Sequence, residues 1–135
     1  MKIRPVDLDS EYERLSHWWT KRGLPPPPKL VLSGAYGFCA QTSGIDVAVG
    51  WVLVSDIKTV AISEFVTSNP AINGGNVVRA LEALYEHLES FSKEKGCPVL
   101  FTSTEVDGSI GRFLEKRGWL PCKGDPHCHL VKACI

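Results

Sequence analysis

The sequence lacks an excess of either charge and lacks long apolar runs. Fifteen Lys and Arg residues balance fifteen Asp and Glu residues, so the formal net charge at pH 7 is zero. Because a nucleic-acid-binding domain usually carries a basic excess, we expect no nucleic-acid partner. No apolar run approaches the ~20 residues that span a bilayer, and the N-terminal stretch MKIRPVDLDSEYERL lacks the apolar core of a signal peptide. We therefore expect no membrane partner and a cytoplasmic location.

The sequence also lacks internal repeats and any linker that would separate a second domain. Its 135 residues are enough for one domain with a buried core. Hydrophobic residues make up 44% of the chain and charged residues 22%, values that are typical of soluble globular proteins. We expect residues 1–135 to form a single domain.

The five cysteines form an odd and scattered set: Cys39, Cys97, Cys122, Cys128 and Cys134. Without an export signal, reduced thiols in a cytosol are the simplest interpretation. A cysteine nucleophile is one alternative. However, Cys39 lies within a predicted strand and Cys97 opens another, and such positions usually bury an inert thiol.

Four residues of the tail have side chains that can bind zinc: Cys122, His127, Cys128 and His129. Tetrahedral zinc sites use CxxC-like or HxxxH-like pairs that converge on the metal. In a strand, His127 and His129 share one face, whereas Cys128 points to the other. We therefore expect no metal site, and we favour an ordinary cross-strand cluster over a zinc-stabilised interaction domain.

Runs of β-branched and aromatic residues predict five strands ahead of a final hairpin in the tail. The strands are expected at residues 2–6, 35–42, 47–55, 58–67 and 97–104. Residues 24–28, LPPPP, exclude a helix or a central strand. We interpret them as a rigid connection, in preference to an SH3-type ligand.

The first helix is expected to begin at Ser10 and to end at Gly23. Ser10 and Glu13 have the spacing of a capping box, in which each side chain bonds a free N–H at the helix start. Near its end lies HWWTKRG, whose two tryptophans face different directions on a helix. One of Trp18 and Trp19 is expected in the core, and the pair could also form a surface for a partner or substrate.

A longer helix follows the fourth strand, and a shorter one follows the fifth. The apolar stripe of the longer helix has helical spacing and comprises Val77, Val78, Leu81, Leu84, Tyr85, Leu88 and Phe91. Gly96 closes this helix, and the shorter helix is capped by Asp107 or Ser109 and ends at Gly118. The order strand, helix, three-strand meander, helix, strand, helix and hairpin predicts an α/β unit with a mixed sheet.

Glu64 interrupts an apolar row on the fourth predicted strand. By the two-residue period it shares a face with Val60, Ile62 and Val66. Burial of a carboxylate raises its pKa towards neutrality, which suits a general base. The alternative is that Glu64 reaches solvent at an edge or pairs with a lysine or arginine.

A polar turn with two glycines, TSNPAINGGN, joins this strand to the long helix. The unpaired N–H groups of a first helical turn form an anion site, and glycine lets a phosphate approach the backbone closely. However, neither GxGxxG nor GxxxxGK[ST] is present, and asparagine is also a good N-cap. Taken alone, the turn favours a structural role over a phosphate site.

The order of these parts resembles the GNAT superfamily of acyl-CoA-dependent N-acetyltransferases. That family has a pyrophosphate loop, [QR]-x-x-G-x-[GA], at the start of its long helix, where this chain has Gly74 and Gly75. Its late segment typically reads rfYeklGF, and residues 112–119 read RFLEKRGW. Residues 64–70, EFVTSNP, and 100–104, LFTST, also look like small GNAT-like proteins of bacteriophages, which implies a bacterial or phage-infected host cytosol.

The resemblance implies a mostly antiparallel mixed sheet that splays between the fourth and fifth strands, with helices on both faces. It implies acetyl-CoA as cosubstrate and direct attack on the thioester by an amine. The acceptor would be a small-molecule or protein amine, and the protein a monomer or homodimer. The resemblance also implies roles for particular residues.

Glu64 would be the general base, with Ser103 and Ser109 as weaker candidates for a proton relay. The residues implied to bind the cofactor lie along the fourth strand, in the glycine turn and at the end of the fifth strand: Phe65, Val66, Thr67, Asn73, Gly74, Gly75, Asn76, Val77, Val78 and Thr104. The acceptor side would be walled by Trp18, Trp19 and Tyr36.

Two positions depart from the family pattern. Ala71 stands at the Gln/Arg position of the loop when the motif is anchored on Gly74. Leu114 stands where the family often has the tyrosine that protonates the departing thiolate. The alternative function is therefore a catalytically impaired GNAT-like module that binds CoA or a protein.

Overall fold

The computed structural model describes residues 1–56, 59–72, 74–104, 109–122 and 128–134. The strands β1 to β7 are, in chain order, Lys2–Pro5, Tyr36–Thr42, Ile45–Val54, Val60–Ser68, Val99–Thr104, Leu120–Pro121 and Cys128–Ala133. The helices α1 to α4 are Leu8–Lys21, Lys29–Leu32, Gly75–Glu94 and Ser109–Glu115. None of the described helices has the length and apolarity needed to cross a membrane.

The seven strands form one sheet in the order β1-β2-β3-β4-β5-β7-β6. Its neighbouring strands are antiparallel apart from β4 and β5, which run parallel. Helices cover both faces. The predicted fold class, a mixed and mostly antiparallel sheet between helices, is therefore confirmed, and so is the closing hairpin of β6 and β7.

The start of α1 differs from the prediction. The helix begins at Leu8 with Asp7 as its N-cap, so the cap predicted at Ser10 is wrong. The carboxylate of Glu11 accepts the Asp7 backbone N–H at 2.7 Å. This bond satisfies a donor at the start of the helix, three residues before the predicted cap. Helix α2 was not predicted. It follows the prolines directly, and the Pro28 carbonyl accepts the first backbone bonds of its single turn.

One face of the sheet packs on α3 and α4. Most of the apolar stripe predicted for the long helix forms this core, with Leu84 and Leu88 fully buried, but Val78 is 43% exposed and lies outside it. They pack with buried residues of the sheet such as Val52 and Leu100. The 3.6-residue period therefore located the buried face of α3 correctly.

The other face packs on α1 and α2. Its core contains Leu15, Trp18, Trp19, Leu32 and Trp51 among its buried residues. The ring centroids of Trp19 and Trp51 lie 5.9 Å apart in a tilted arrangement. One of the two tryptophans of the HWWTKRG segment was predicted to be buried. Both are buried, because α1 presents both to the sheet.

Candidate active site

The strands β4 and β5 pair only at their starts and then part. Their register runs through Val60–Val99, Ala61–Leu100 and Ile62–Phe101 and goes no further. Just beyond, the Thr102 hydroxyl donates a 2.6 Å hydrogen bond to the Ser63 carbonyl. A side chain therefore replaces the backbone ladder where the gap opens, which confirms the predicted splay between the fourth and fifth strands.

A β-bulge in β4 lies at the mouth of this gap. Trp51 of β3 pairs with Glu64, whereas Val49 pairs with Thr67, so Phe65 and Val66 both face the single residue Gly50. Phe65 has φ of +59°, a conformation that is costly for an aromatic residue and that is often found at functional sites.

Gly50 allows the bulge to pack on α3. A Cβ at Gly50 would lie 2.9 Å from a methyl carbon of Val66. Val66 packs with the α3 core and Phe65 with the α1 core. The two-residue period assumed for this strand therefore fails at the bulge, and the expectation that Val66 continues one apolar row with Glu64 is wrong.

The gap between the two strands forms a cavity of about 330 Å³. Its walls come from β4, β5, α3, α4 and the segment after α1. The lining residues are Leu24, Glu64, Phe65, Val66, Tyr85, Thr102, Ser103, Thr104, Ser109 and Ile110. The structure thus brings together six residues predicted for one site: Glu64, Phe65, Val66, Ser103, Thr104 and Ser109.

Glu64 is the carboxylate of this cavity. It is partly buried, and its Oε1 accepts a 2.9 Å hydrogen bond from the Ser103 hydroxyl on the opposite strand. A carboxylate with a hydroxyl beside it in a concave site can take a proton from a bound group. The residue predicted as the base and the residue predicted as the relay therefore lie in contact.

Tyr85 lines the same cavity from α3 and is 3% exposed. The helical period places Tyr85 in the buried stripe, and no further role was predicted for it. Its ring is held by Phe113 and Trp119, at centroid distances of 6.1 and 5.9 Å. Burial, with a smaller contribution from the negative charge of Glu64, raises the pKa of the Tyr85 phenol well above its usual value. The one available signal was a hydroxyl within an otherwise apolar helical stripe.

Leu114 is fully buried in the core between α4 and the sheet. The position at which the resemblance implies a tyrosine is therefore filled here by core packing. Two hydroxyl-bearing residues line the gap from the helices, Tyr85 of α3 and Ser109 of α4. Leu24 and Ile110 also line the cavity and were not among the predicted site residues. They add apolar surface at its edges.

The predicted acceptor-side residues lie away from this cavity. Trp18 and Trp19 are 5% and 6% exposed within the α1 core. Tyr36 is exposed and contacts the Phe91 ring in a tilted arrangement, and it lines a separate cavity with residues such as Lys95. Their contact with an acceptor stays a prediction, and the described residues of the Glu64 cavity do not include them.

The glycine turn opens outward at the start of α3. Gly74 has φ of +69° and ψ of −144°, a conformation essentially restricted to glycine. A Cβ on Gly74 would meet no atom within 4 Å, so the backbone on this side is accessible. The first turn contains no acidic residue. An outward-facing helix N-terminus without negative charge is suited to an anion.

Two asparagines shape this turn. The Asn69 side chain accepts the Ala71 N–H at 3.0 Å and donates to the Asp46 carbonyl at 2.9 Å, so it fixes the end of β4 to the turn. Asn76 accepts a 2.7 Å hydrogen bond from Arg79, which brings a cation to the helix start.

The other residues predicted to bind the cofactor have different positions. Asn73 lies outside the described residues. Val77 and Val78 follow in the first turn, while Thr67 is buried in β4.

The cysteines do not enter this cavity as far as the described residues show. Cys39 and Cys97 are fully buried. Burial raises the pKa of the Cys39 thiol to about 12, which keeps it protonated and unreactive. Within the described ranges, no group of three or more His, Cys, Asp or Glu residues is placed to hold a metal ion. His127 of the tail lies outside those ranges.

Comparison with solved structures identifies the fold. Rv2747 of Mycobacterium tuberculosis, crystallised with CoA, superposes with a TM-score of 0.78 at 12% identity over 100% of both chains. The GNAT domain of S. lividans PAT superposes with a TM-score of 0.73 at 16% identity, over 97% of this chain and 89% of that domain. The aminoglycoside 6′-N-acetyltransferase from Enterococcus faecium superposes with a TM-score of 0.73 at 14% identity, over 100% of this chain and 98% of that enzyme.

These similarities show that the chain has the GNAT fold. No protein-family model matches the chain, and no curated protein matches it in sequence. The likeness is therefore structural and spans the whole chain, and the Glu64 cavity lies at the splay of its two parallel strands.

Proposed function

We propose that this protein is an N-acetyltransferase that transfers the acetyl group of acetyl-CoA to an amine. The observation that carries the proposal is the cavity at the parting of β4 and β5, with Glu64 and Ser103 in contact across it. The M. tuberculosis protein with the same fold was crystallised with CoA. The proposed origin, a bacteriophage or its bacterial host, is supported by the resemblance of the segments EFVTSNP and LFTST to bacteriophage proteins.

In this proposal the acyl-pantetheine arm lies between the two parted strands. A bulge leaves a backbone group out of the strand ladder, and an N–H near Phe65, Val66 or Thr67 would polarise the thioester carbonyl. Thr104 and Ser109 would flank the arm. The free N–H groups of the turn at Gly74 to Val78 would hold the pyrophosphate, and Arg79 supplies the positive charge that Ala71 lacks.

Glu64 would deprotonate the incoming ammonium, directly or through water, with Ser103 beside it as a relay. The neutral amine then attacks the carbonyl carbon, and the carbon–sulfur bond breaks. Leu24, in the segment after α1, lines the cavity, and the acceptor would enter past it. The acceptor is a small-molecule or protein amine.

A coupled binding and turnover assay tests the proposal. Acetyl-CoA should raise the melting temperature, because a ligand that binds only the folded state stabilises it. Release of the CoA thiol should then depend on an added amine, tested with a polyamine, an aminoglycoside and a lysine peptide. Binding without turnover on a broad panel would favour the non-catalytic CoA-binding alternative. Absence of binding would refute both, and bound zinc would favour the interaction module.

Gly75→Asp separates binding of the pyrophosphate from stability of the helix. Gly75 opens α3, and the nearest group to its Cβ position is the Arg79 guanidinium at 3.7 Å. An acidic residue in a first helical turn stabilises the helix by about 0.3–1 kcal/mol. The same charge should repel the pyrophosphate and weaken acetyl-CoA binding by about tenfold or more, since tenfold corresponds to only about 1.4 kcal/mol.

The matched control for this variant is Gly75→Asn, which has the same shape without the charge. We expect titration calorimetry to show weaker binding by the aspartate variant and urea unfolding to show equal or greater stability. If Gly75→Asp binds acetyl-CoA as tightly as Gly75→Asn does, the turn is not part of the cofactor site.

A further inference from the structure

The strands β4 and β5 are each held on the side that faces away from the gap. The last pair of the β4–β5 ladder joins Ile62 and Phe101. Beyond it, β4 stays paired with β3 as far as Ser68, and β5 stays paired with β7 as far as Thr104. The gap therefore opens between two strands that are each fixed to another neighbour, and its width at the closed end depends on what links them there.

Thr102 supplies a link at this closed end. Its hydroxyl donates a 2.6 Å hydrogen bond to the Ser63 carbonyl, directly after the last ladder pair. Thr102 is 3% exposed and Ser63 is fully buried, so bulk water does not reach the bond. A buried carbonyl that loses its donor bears the cost of its desolvation without compensation. The bond therefore holds the two strands together where the backbone ladder no longer does.

The next residue along each strand belongs to the candidate active site. Glu64 follows Ser63 on β4, and on β5 the next residue is Ser103. The Ser103 hydroxyl donates to the Glu64 carboxylate at 2.9 Å. Because one residue advances a strand by only about 3.3 Å, a change in strand separation at Thr102 is passed on to the contact between Ser103 and Glu64.

We infer that Thr102 is a positioning residue for acetyl transfer. Its hydrogen bond to Ser63 sets the separation of β4 and β5 at the closed end of the gap and so keeps Ser103 against Glu64. This inference rests on the proposed function, because it requires Glu64 to act as the base in this cavity. Thr102 acts through the neighbouring contact and takes no proton itself.

The cofactor contacts that the proposed function invokes are held by other parts of the chain. The bulge of β4 is accommodated by Gly50 of β3, and the glycine turn leads into α3 at Gly75. Neither feature includes the bond between Thr102 and Ser63. Loss of that bond should therefore lower turnover more than it lowers the affinity for acetyl-CoA.

Thr102→Val tests the inference, because valine keeps the branched shape of threonine and removes the hydroxyl. We expect kcat for acetyl transfer to fall by about 10- to 100-fold, since misplacement of a reacting group by about 1 Å can cost about 10²-fold. The dissociation constant of acetyl-CoA, measured by titration calorimetry, should change by less than about threefold. Thr102→Ser keeps the hydroxyl and should restore kcat to within about threefold of the wild type.

Ser92→Ala is the matched control. The Ser92 hydroxyl is also fully buried and donates to a backbone carbonyl, that of Leu88 in α3, at 2.7 Å. Ser92 is not among the described residues that line the Glu64 cavity. Its substitution should lower the urea midpoint, as that of Thr102 should, but leave kcat unchanged. If kcat of Ser92→Ala falls as far as that of Thr102→Val, the effect is one of general stability and the inference fails.

A double variant shows whether Thr102 acts through Ser103. Ser103→Ala removes the donor to Glu64 directly and should lower kcat. Adding Thr102→Val to Ser103→Ala should cost little more, because the contact that Thr102 positions is already lost. Losses that multiply in the double variant would show two independent effects and overturn the inference.

The outcomes also separate the inference from the proposed function. If the wild type transfers acetyl groups and Thr102→Val does so equally fast, Thr102 is not a positioning residue, and the proposed function stands. If the wild type transfers no acetyl group to any amine, the proposed function fails and the role of Thr102 fails with it. A lower kcat with nearly unchanged affinity, recovered in Thr102→Ser and absent in Ser92→Ala, supports the inference.

Discussion

Replacement of Glu64 by glutamine is expected to slow acetyl transfer by about 10²- to 10⁴-fold, the usual contribution of a general base. Acetyl-CoA binding should change little, because glutamine keeps the shape of glutamate and can still contact Ser103. Kinetic measurement of kcat alongside calorimetric measurement of acetyl-CoA affinity tests both parts. The deficit of the variant should shrink at high pH, where the acceptor amine is already deprotonated and no longer needs a base.

Glu13→Gln provides the control for this experiment. Glu13 is an exposed residue of α1, and its loss of charge should leave kcat and its pH dependence unaltered. If Glu64→Gln loses cofactor affinity and turnover to the same extent, Glu64 holds the cofactor and is not the base. A deficit that stays constant as pH rises would also argue against proton abstraction.

Trp51→Ala is expected to cost about 3–5 kcal/mol of folding free energy, which is a large share of the ~5–15 kcal/mol of a typical domain. Trp51 is 1% exposed and packs against Trp19 of α1, so its removal leaves a cavity between helix and sheet. It is also the register partner of Glu64 on the neighbouring strand. Both the stability of the fold and the position of β4 therefore depend on this ring.

Urea unfolding of the wild type and of Trp51→Ala measures this cost. Leu30→Ala is the control, because Leu30 is 85% exposed and should contribute almost nothing. A loss for Trp51→Ala no larger than that for Leu30→Ala would contradict the role of Trp51 in the core. Saturating acetyl-CoA should restore part of the lost stability if the site still forms.

Most of the element order was predictable because local patterns specify it. The apolar stripe of α3 repeats at helical spacing from Val77 to Phe91, and Leu84 and Leu88 are buried as that spacing requires. The meander was predictable from runs of β-branched residues between turns. The start of α1 was not, since Ser10 has a capping sequence but Glu11 bonds the Asp7 N–H in the folded chain.

The candidate site was predictable in chemistry more than in geometry. A carboxylate within an apolar strand, followed by a glycine turn and a helix, indicates Glu64 and the turn from the sequence alone. The sequence predicted one of Trp18 and Trp19 in the core, whereas both are buried. The sequence pattern of an amphipathic helix indicates which residues can face the core. Whether a tryptophan at the edge of that face is buried depends on the sheet and helix that pack against it.

The sequence by itself determined which residues carry chemistry and, apart from α2, in what order the strands and helices occur, because residue type and periodicity are local properties. Only the tertiary structure decided where β4 breaks its period. The bulge at Phe65 and Val66 is accommodated by Gly50 of the neighbouring strand β3, because a side chain at Gly50 would clash with Val66 and crowd Leu84 of α3. It also decided that Tyr85 joins Glu64 and Ser103 at one cavity. Such convergence depends on packing between segments far apart in the chain, which no local pattern records.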